Sequence, residues 1–192
     1  MIRAIIFDCF GVLTYDGWLP FKKRYFSADP VTGQQATDLV TRVNAGLLEY
    51  RHFIRRIAAM AGVPETEAYR AIHRNAPNEE LFAYIRERLK PHYKIGMLSN
   101  AGRNMLEDMF EAADLVLFDA QALSYQTGLM KPDTRSYADI ADRLGVAPEE
   151  CIFIDDQPGY CAAARDAGMT AVVYQDFDQL CADLERLLTP DS

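Results

Sequence analysis

The chain has no apolar run near the roughly 18 residues that a membrane-spanning helix requires. Its opening, MIRAIIFDCF, has neither the long apolar segment nor the small-residue cleavage site of a signal peptide. A cytoplasmic location with no membrane partner is the expectation. Cysteine is sparse as well. Cys9, Cys151, Cys161 and Cys181 stand far apart, without a C-x-x-C pair or histidines at zinc spacing, so a disulfide framework and a zinc site both lack their ligand pattern. They read as reduced and structural. The glycines form no G-x-G-x-x-G fingerprint and no G-x-x-x-x-G-K-S/T loop occurs, which weakens nucleotide-cofactor folds. Basic charge is short too: 20 Lys and Arg face 28 Asp and Glu, a formal charge of −8, whereas phosphate-backbone binding needs basic clusters. No nucleic-acid partner is expected. Internal repeats and low-complexity tracts are also missing.

What is present is the composition of an ordinary folded protein, 49% hydrophobic and 25% charged over 192 residues, enough for one core domain with a small insertion. The charge is uneven: residues 15–90 carry +3 and the rest −11. A basic segment facing an acidic one suits a metal site in the acidic part and an anionic substrate reached by the other, although solvated helix faces give the same count.

By hydrophobic period the chain falls into three stretches. Residues 3–13 carry one strand pattern, and residues 15–90 read as helical. Within these, SADPVTG at 27–33 reads as a loop, and Leu39, Val43 and Leu47 recur at helical spacing until Gly46. Phe53, Ile57 and Met60 mark a second amphipathic helix, stopped by Gly62 and Pro64, and ETEAYRAIHRN a third. Asn78 reads as an N-cap before Glu79 and Glu80, with Leu81, Phe82, Ile85 and Leu89 as a buried stripe. From about residue 93, short apolar strands (YKIGML at 93–98, DLVLFDA at 114–120, CIFID at 151–155, TAVVY at 170–174) alternate with helices near 102–112, 133–144, 159–167 and 177–188. That alternation predicts a parallel α/β sheet covered on both faces. The expected division is a core of residues 1–14 and 91–192 and a helical cap of residues 15–90.

Ligands of such sheets bind at the carboxyl ends of the strands. Three apolar strands here end in polar residues: Asp8, Ser99-Asn100, and Asp155-Asp156, with Lys131 in the loop GLMKPD. A single aspartate at a strand end is most often a turn former or helix cap. If these ends converge, however, Asp8, Asp155 and Asp156 crowd negative charge that a cation or Lys131 must neutralise, and magnesium, which prefers carboxylates, carbonyls and water, is the natural ion.

In that order and spacing, Asp8 in FDCFGVLT, Ser99 in LSNA, Lys131 in GLMKPDTRSY and FIDDQPGYCAAARDAGM at 153–169 resemble the four motifs of the haloacid dehalogenase-like hydrolase superfamily. The likeness runs the length of the chain and is similar to the subgroup with a helical cap inserted directly after the first motif. It implies a Rossmann-like three-layer core and an aspartyl-enzyme intermediate. Asp8 would be the nucleophile, Ser99 would hydrogen-bond a transferring phosphoryl oxygen, and Lys131 would neutralise charge on that group and on Asp8. Magnesium would be held by Asp8, Asp155, Asp156 and the backbone carbonyl of Phe10. The partner implied is a small phosphorylated molecule.

Most phosphatases of that superfamily carry a second aspartate two residues after the nucleophile, where this chain has Phe10. General acid–base help of that kind is worth about 10²–10⁴ in rate. The resemblance therefore implies a magnesium-dependent phosphatase whose leaving group is a weak base, such as a sugar 1-phosphate or acyl phosphate; the chain is similar to a branch without that aspartate that includes glucose-1-phosphate phosphatases. Asp16 or a water could stand in for the acid, but nothing in the sequence places Asp16 at the site. Two alternatives stay open, a metal-free 2-haloacid dehalogenase and a catalytically weak binding module. Selectivity is expected from the cap, with Lys22, Lys23, Arg24, Arg42, Arg51 and His52 as candidates for its entrance and Asn100 as a further substrate contact.

Overall fold

The computed structural model describes residues 1–73, 76–102 and 106–189. Its centre is a five-stranded, all-parallel sheet in the order β3-β2-β1-β4-β5, formed by β1 (Ala4–Phe7), β2 (Lys94–Ser99), β3 (Ala120–Leu123), β4 (Cys151–Asp155) and β5 (Thr170–Val173). Every residue of β1 is buried, with Ile5 paired to Ile95 on one side and to Ile152 on the other. Side chains alternate across the sheet. Ile5 and Phe7 of β1 join Met97 and Ile154 in one core cluster, and Ala4 and Ile6 join Leu98 and Phe153 in another on the opposite face.

The helices are α1 (Trp18–Phe26), α2 (Pro30–Asn44), α3 (Tyr50–Ala61), α4 (Glu65–Ile72), α5 (Glu79–Tyr84, continued by a π-helical turn Ile85–Leu89), α6 (Leu106–Met109), α7 (Ala112–Leu115), α8 (Ser124–Thr127), α9 (Thr134–Leu144), α10 (Pro158–Asp166) and α11 (Phe177–Leu188). Leu81 and Phe82 of α5, and Leu180 and Leu184 of α11, cover one face of the sheet; Tyr137, Ile140 and Leu144 of α9, with Ala164 of α10, cover the other. This is the three-layer α/β arrangement expected from the alternating pattern. A third cluster, built from Phe21, Phe26, Leu39, Val43, Phe53, Ile57 and Ile72, holds α1 to α4 together above the sheet. No helix among the described residues is long and apolar enough to cross a membrane.

Three local expectations need correction. The segment 27–33 is not wholly a loop: α2 begins at Pro30, with the Asp29 carboxylate accepting the Val31 N–H at 3.0 Å. Proline suits the first helical turn, where its missing N–H is not needed, so the Asp-Pro that signals a turn here starts a helix. Leu47 is 73% exposed, because α2 stops at Asn44 and Gly46 turns the chain away with φ +71°. The expected strand DLVLFDA is instead α7 and a loop that buries Leu117 and Phe118, and pairing starts at Ala120. A short apolar run does not distinguish strand from other buried backbone. The stripe Leu81, Phe82, Ile85 and Leu89 is buried as expected, and it packs on the sheet. Residues 103–105 of the helix expected near 102–112, and Arg74 and Asn75 at the end of ETEAYRAIHRN, lie outside the described residues.

Candidate active site

β1 is central, flanked by β2 and β4, so the carboxyl ends of these three strands are neighbours. Asp8 continues the ladder one step beyond β1, its N–H donating to the Ile154 carbonyl at 2.8 Å. Its carboxylate is held twice through Oδ1, by the Cys9 N–H at 2.7 Å and by the Lys131 ammonium at 2.7 Å. Lys131 is 1% exposed and reaches Asp155 Oδ2 as well, at 2.6 Å, with its Nζ lying over the rings of Tyr160 and Phe153 at 4.9 and 5.4 Å. Asn100 fixes the lysine's backbone from both sides: its amide donates to the Lys131 carbonyl and accepts the Lys131 N–H, each at 2.9 Å.

Asp155 Oδ1 accepts the Gln157 N–H at 2.8 Å, and Asp156 Oδ2 accepts from the Gln157 side chain at 3.1 Å. One carboxylate oxygen from each of Asp8, Asp155 and Asp156 lies within 4.8 Å of the others, a donor set of hard oxygens that fits a divalent ion. The loop after β1 passes so close that a Cβ on Gly11, where φ is +90°, would sit 2.7 Å from the Asp156 carboxyl. Gly11→Ala is therefore expected to destabilise the fold by about 1–3 kcal/mol and to displace Asp156; denaturant melts, and a magnesium titration monitored by melting temperature, check both effects. The hydroxyl of Ser99 is buried with no hydrogen-bond partner among the described residues. Buried polar atoms seldom stay unpaired, and this one fits a ligand oxygen.

The electrostatics follow from crowding in a dry site. Burial pushes the Asp8 carboxyl up to about 7, with the Asp155 charge adding to the rise and Lys131 opposing it. Burial, then Asp155, takes Asp156 to about 6. For Lys131, burial works against the charged form, but Asp8 and Asp155 outweigh it and hold the ammonium protonated.

Over this cluster lies a cavity of about 340 Å³ between sheet and cap. Its floor includes Asp8, Phe10, Asn100, Lys131, Asp156 and Tyr160, and its roof Trp18, Lys22, Thr37, Thr41, Tyr50 and Phe53. Of the basic residues expected at the entrance, Lys22 faces this cavity. Arg24 lines a separate groove beside Tyr25 and Arg70, and Arg42 lies in another with Arg56. Lys23, Arg51 and His52 are exposed, and His52 sits 3.6 Å from Glu49. Apart from Lys22, sequence reasoning missed the roof: Trp18 shares a helix face with Lys22, and Thr37 with Thr41, each at i,i+4, a spacing that shows itself once the face is known. Asp16 also lines the cavity.

A model of the haloacid dehalogenase-like hydrolase family matches residues 2–168. The chain belongs to the haloacid dehalogenase-like hydrolases. A "predicted HAD-like family hydrolase" from Porphyromonas gingivalis shares its fold over 100% of both chains, with 25% identity and a TM-score of 0.76. A HAD family enzyme from Bacteroides thetaiotaomicron, solved with magnesium and inorganic phosphate, superposes with a TM-score of 0.68 and 22% identity over 94% of this chain and 99% of its own. L-2-haloacid dehalogenase from Xanthobacter autotrophicus has the same fold, with a TM-score of 0.64, 22% identity, and coverage of 97% of this chain and 83% of its own. Among curated relatives, a phosphatase of Mycobacterium tuberculosis is 36% identical over 103 residues, 49% of this hydrolase and 46% of that protein. The matched segments span less than half the length of the first curated relatives.

Proposed function

We propose that this hydrolase is a magnesium-dependent phosphatase that acts on a small phosphorylated metabolite through an aspartyl-phosphate on Asp8. The observation that carries the reading is the meeting of Asp8, Asp155 and Asp156 around Lys131 at the strand ends. In this reading Asp8 attacks phosphorus, Lys131 neutralises charge on the nucleophile and the transferring group, and the unpartnered Ser99 hydroxyl donates to a phosphoryl oxygen. Asn100 acts by holding Lys131 in place. Magnesium would be held by Asp8, Asp155, Asp156 and the Phe10 carbonyl, and when bound supplies charge neutralisation for the phosphoryl group. The side chain of Phe10 packs against the core cluster and has no proton to give, so sugar 1-phosphates and acyl phosphates, whose leaving oxygens are less basic, are the first substrates to test. The cap is best drawn as α1 to α4 with its two linkers, and α5 assigned to the core.

A dehalogenase reading draws support from the solved dehalogenase of the same fold, but carbon–halogen displacement leaves Asp156 without a task. The test is phosphate release from glucose 1-phosphate, other sugar phosphates and acetyl phosphate, with magnesium or with EDTA, beside chloride release from 2-chloropropionate. Phosphate release that requires magnesium, with a sharply weakened metal response in Asp156→Ala, is the expected result. Chloride release indifferent to EDTA, without phosphate release, would overturn it.

A further inference from the structure

Three carboxylates line the cavity among the described residues, Asp8, Asp16 and Asp156. Asp8 and Asp156 belong to the cluster that fits a metal ion; Asp16 does not. It sits on the linker entering the cap, just ahead of α1, half-buried on the cavity wall. Its Oδ1 accepts the Trp18 N–H at 2.8 Å, which fixes the carboxyl against the start of the helix. A carboxyl anchored through one acceptor can still carry a proton and donate it.

Lys22, Tyr50 and Tyr160 also bring protons to this cavity, but an ammonium or a phenol gives up its proton less readily than a carboxyl does. Lys131 is committed to Asp8 and Asp155 by contacts of 2.7 and 2.6 Å. Burial, which outweighs the backbone bonds from Trp18 and Leu19, raises the Asp16 carboxyl above its ordinary value and so favours the protonated form.

We propose that Asp16 is the general acid of the phosphoryl-transfer step, giving its proton to the ester oxygen as that oxygen leaves phosphorus. The inference rests on the phosphatase reading above. As an Asp8 oxygen bonds to phosphorus, the bond between phosphorus and the ester oxygen breaks and its electron pair goes to that oxygen. The oxygen takes the Asp16 proton and departs as an alcohol, and the Asp16 carboxylate regains a proton from water. An acid supplied from the cap linker extends the substrate class from weakly basic leaving groups to ordinary alkyl phosphates.

The test compares two esters of similar shape, p-nitrophenyl phosphate and benzyl phosphate, in the first turnover with magnesium present. Nitrophenolate leaves readily without a proton, whereas benzyl alkoxide does not. Asp16→Asn keeps an acceptor for the Trp18 N–H, since Asn forms the same turn-type bond to the backbone two residues on as Asp does, but removes the acidic proton. Asp16→Ser, whose hydroxyl is a second neutral acceptor for the Trp18 N–H, is measured alongside in case one variant folds poorly. The expected result is that both variants lower the benzyl-to-nitrophenyl rate ratio by roughly 10²-fold or more, and that the alkaline fall of the benzyl rate in the wild type is lost. Equal slowing of the two esters, or an unchanged ratio, would show a purely structural Asp16 and overturn the proposal. Failure of the wild type to hydrolyse either ester would instead overturn the phosphatase reading, and this inference with it.

Discussion

Asp8→Asn is expected to lower phosphate release by roughly 10⁴-fold or more while the protein stays folded. The amide is nearly isosteric and can still accept from the Cys9 N–H, but it has no anionic oxygen with which to attack phosphorus. Stability has its own signature. In the wild type the Asp8 carboxyl is raised from 3.8 to about 7, chiefly by burial. The folded state therefore holds this proton more tightly than the unfolded chain does. Below about 3.8 the group is neutral in both states and costs nothing; as pH rises towards 7 the unfolded chain releases the proton first, and stability falls. Without added metal and with EDTA, Asp8→Asn should lose this decline. Phosphate-release assays and denaturant melts at pH 4 and pH 8 check the two effects, and a variant with near-normal turnover would defeat Asp8 as nucleophile.

Lys131→Met should cost both stability and activity. Removing one member of a buried ionic cluster leaves its partners uncompensated, which costs about 3–5 kcal/mol; here Asp8 and Asp155, 5% and 0% exposed, would both lose their cation. Methionine keeps an unbranched apolar chain beside the Tyr160 and Phe153 rings, so the loss is chiefly electrostatic. Acid should relieve it, because protonation discharges the Asp8 carboxyl, which burial already raises to about 7. The expected result in EDTA is a large deficit at neutral pH that narrows near pH 4. Turnover should fall by roughly 10²–10³-fold from lost charge stabilisation. An equal deficit at both pH values would point to packing instead.

The residues that meet at the carboxyl edge of the sheet were legible because they break a rule: polar side chains closing apolar strands have no packing reason to be there. The parallel α/β arrangement was legible from its alternation, down to the strand Cys151–Asp155 and the helix Phe177–Leu188. What stayed hidden depended on tertiary pairing. The strand at Ala120–Leu123 is fixed by where β2 offers partners, with the Asp119 N–H donating to the Ile95 carbonyl at 2.7 Å, and not by the more apolar LVLF before it. The cap was harder, since α1 to α4 bury one face among themselves and present another to the cavity. Charge singled out Arg51 and His52, which face solvent, while Asp16, Trp18 and Tyr50 line the cavity.

The cap's two linkers run side by side. Tyr15 N–H donates to the Ala76 carbonyl at 3.1 Å, Asn78 N–H to the Leu13 carbonyl at 2.9 Å, and Thr14 bridges Pro77. Seen from the sheet, the whole insertion is a loop whose ends are already tied. Closure entropy grows slowly with loop length, so lengthening, trimming or replacing what lies between the ties should hardly disturb the pairing of β1 with β2. In the proposed reading, the floor that would carry the chemistry and the roof that would select the substrate can thus diverge at different rates, so that new specificities are grafted at one doorway without refolding what lies beneath it.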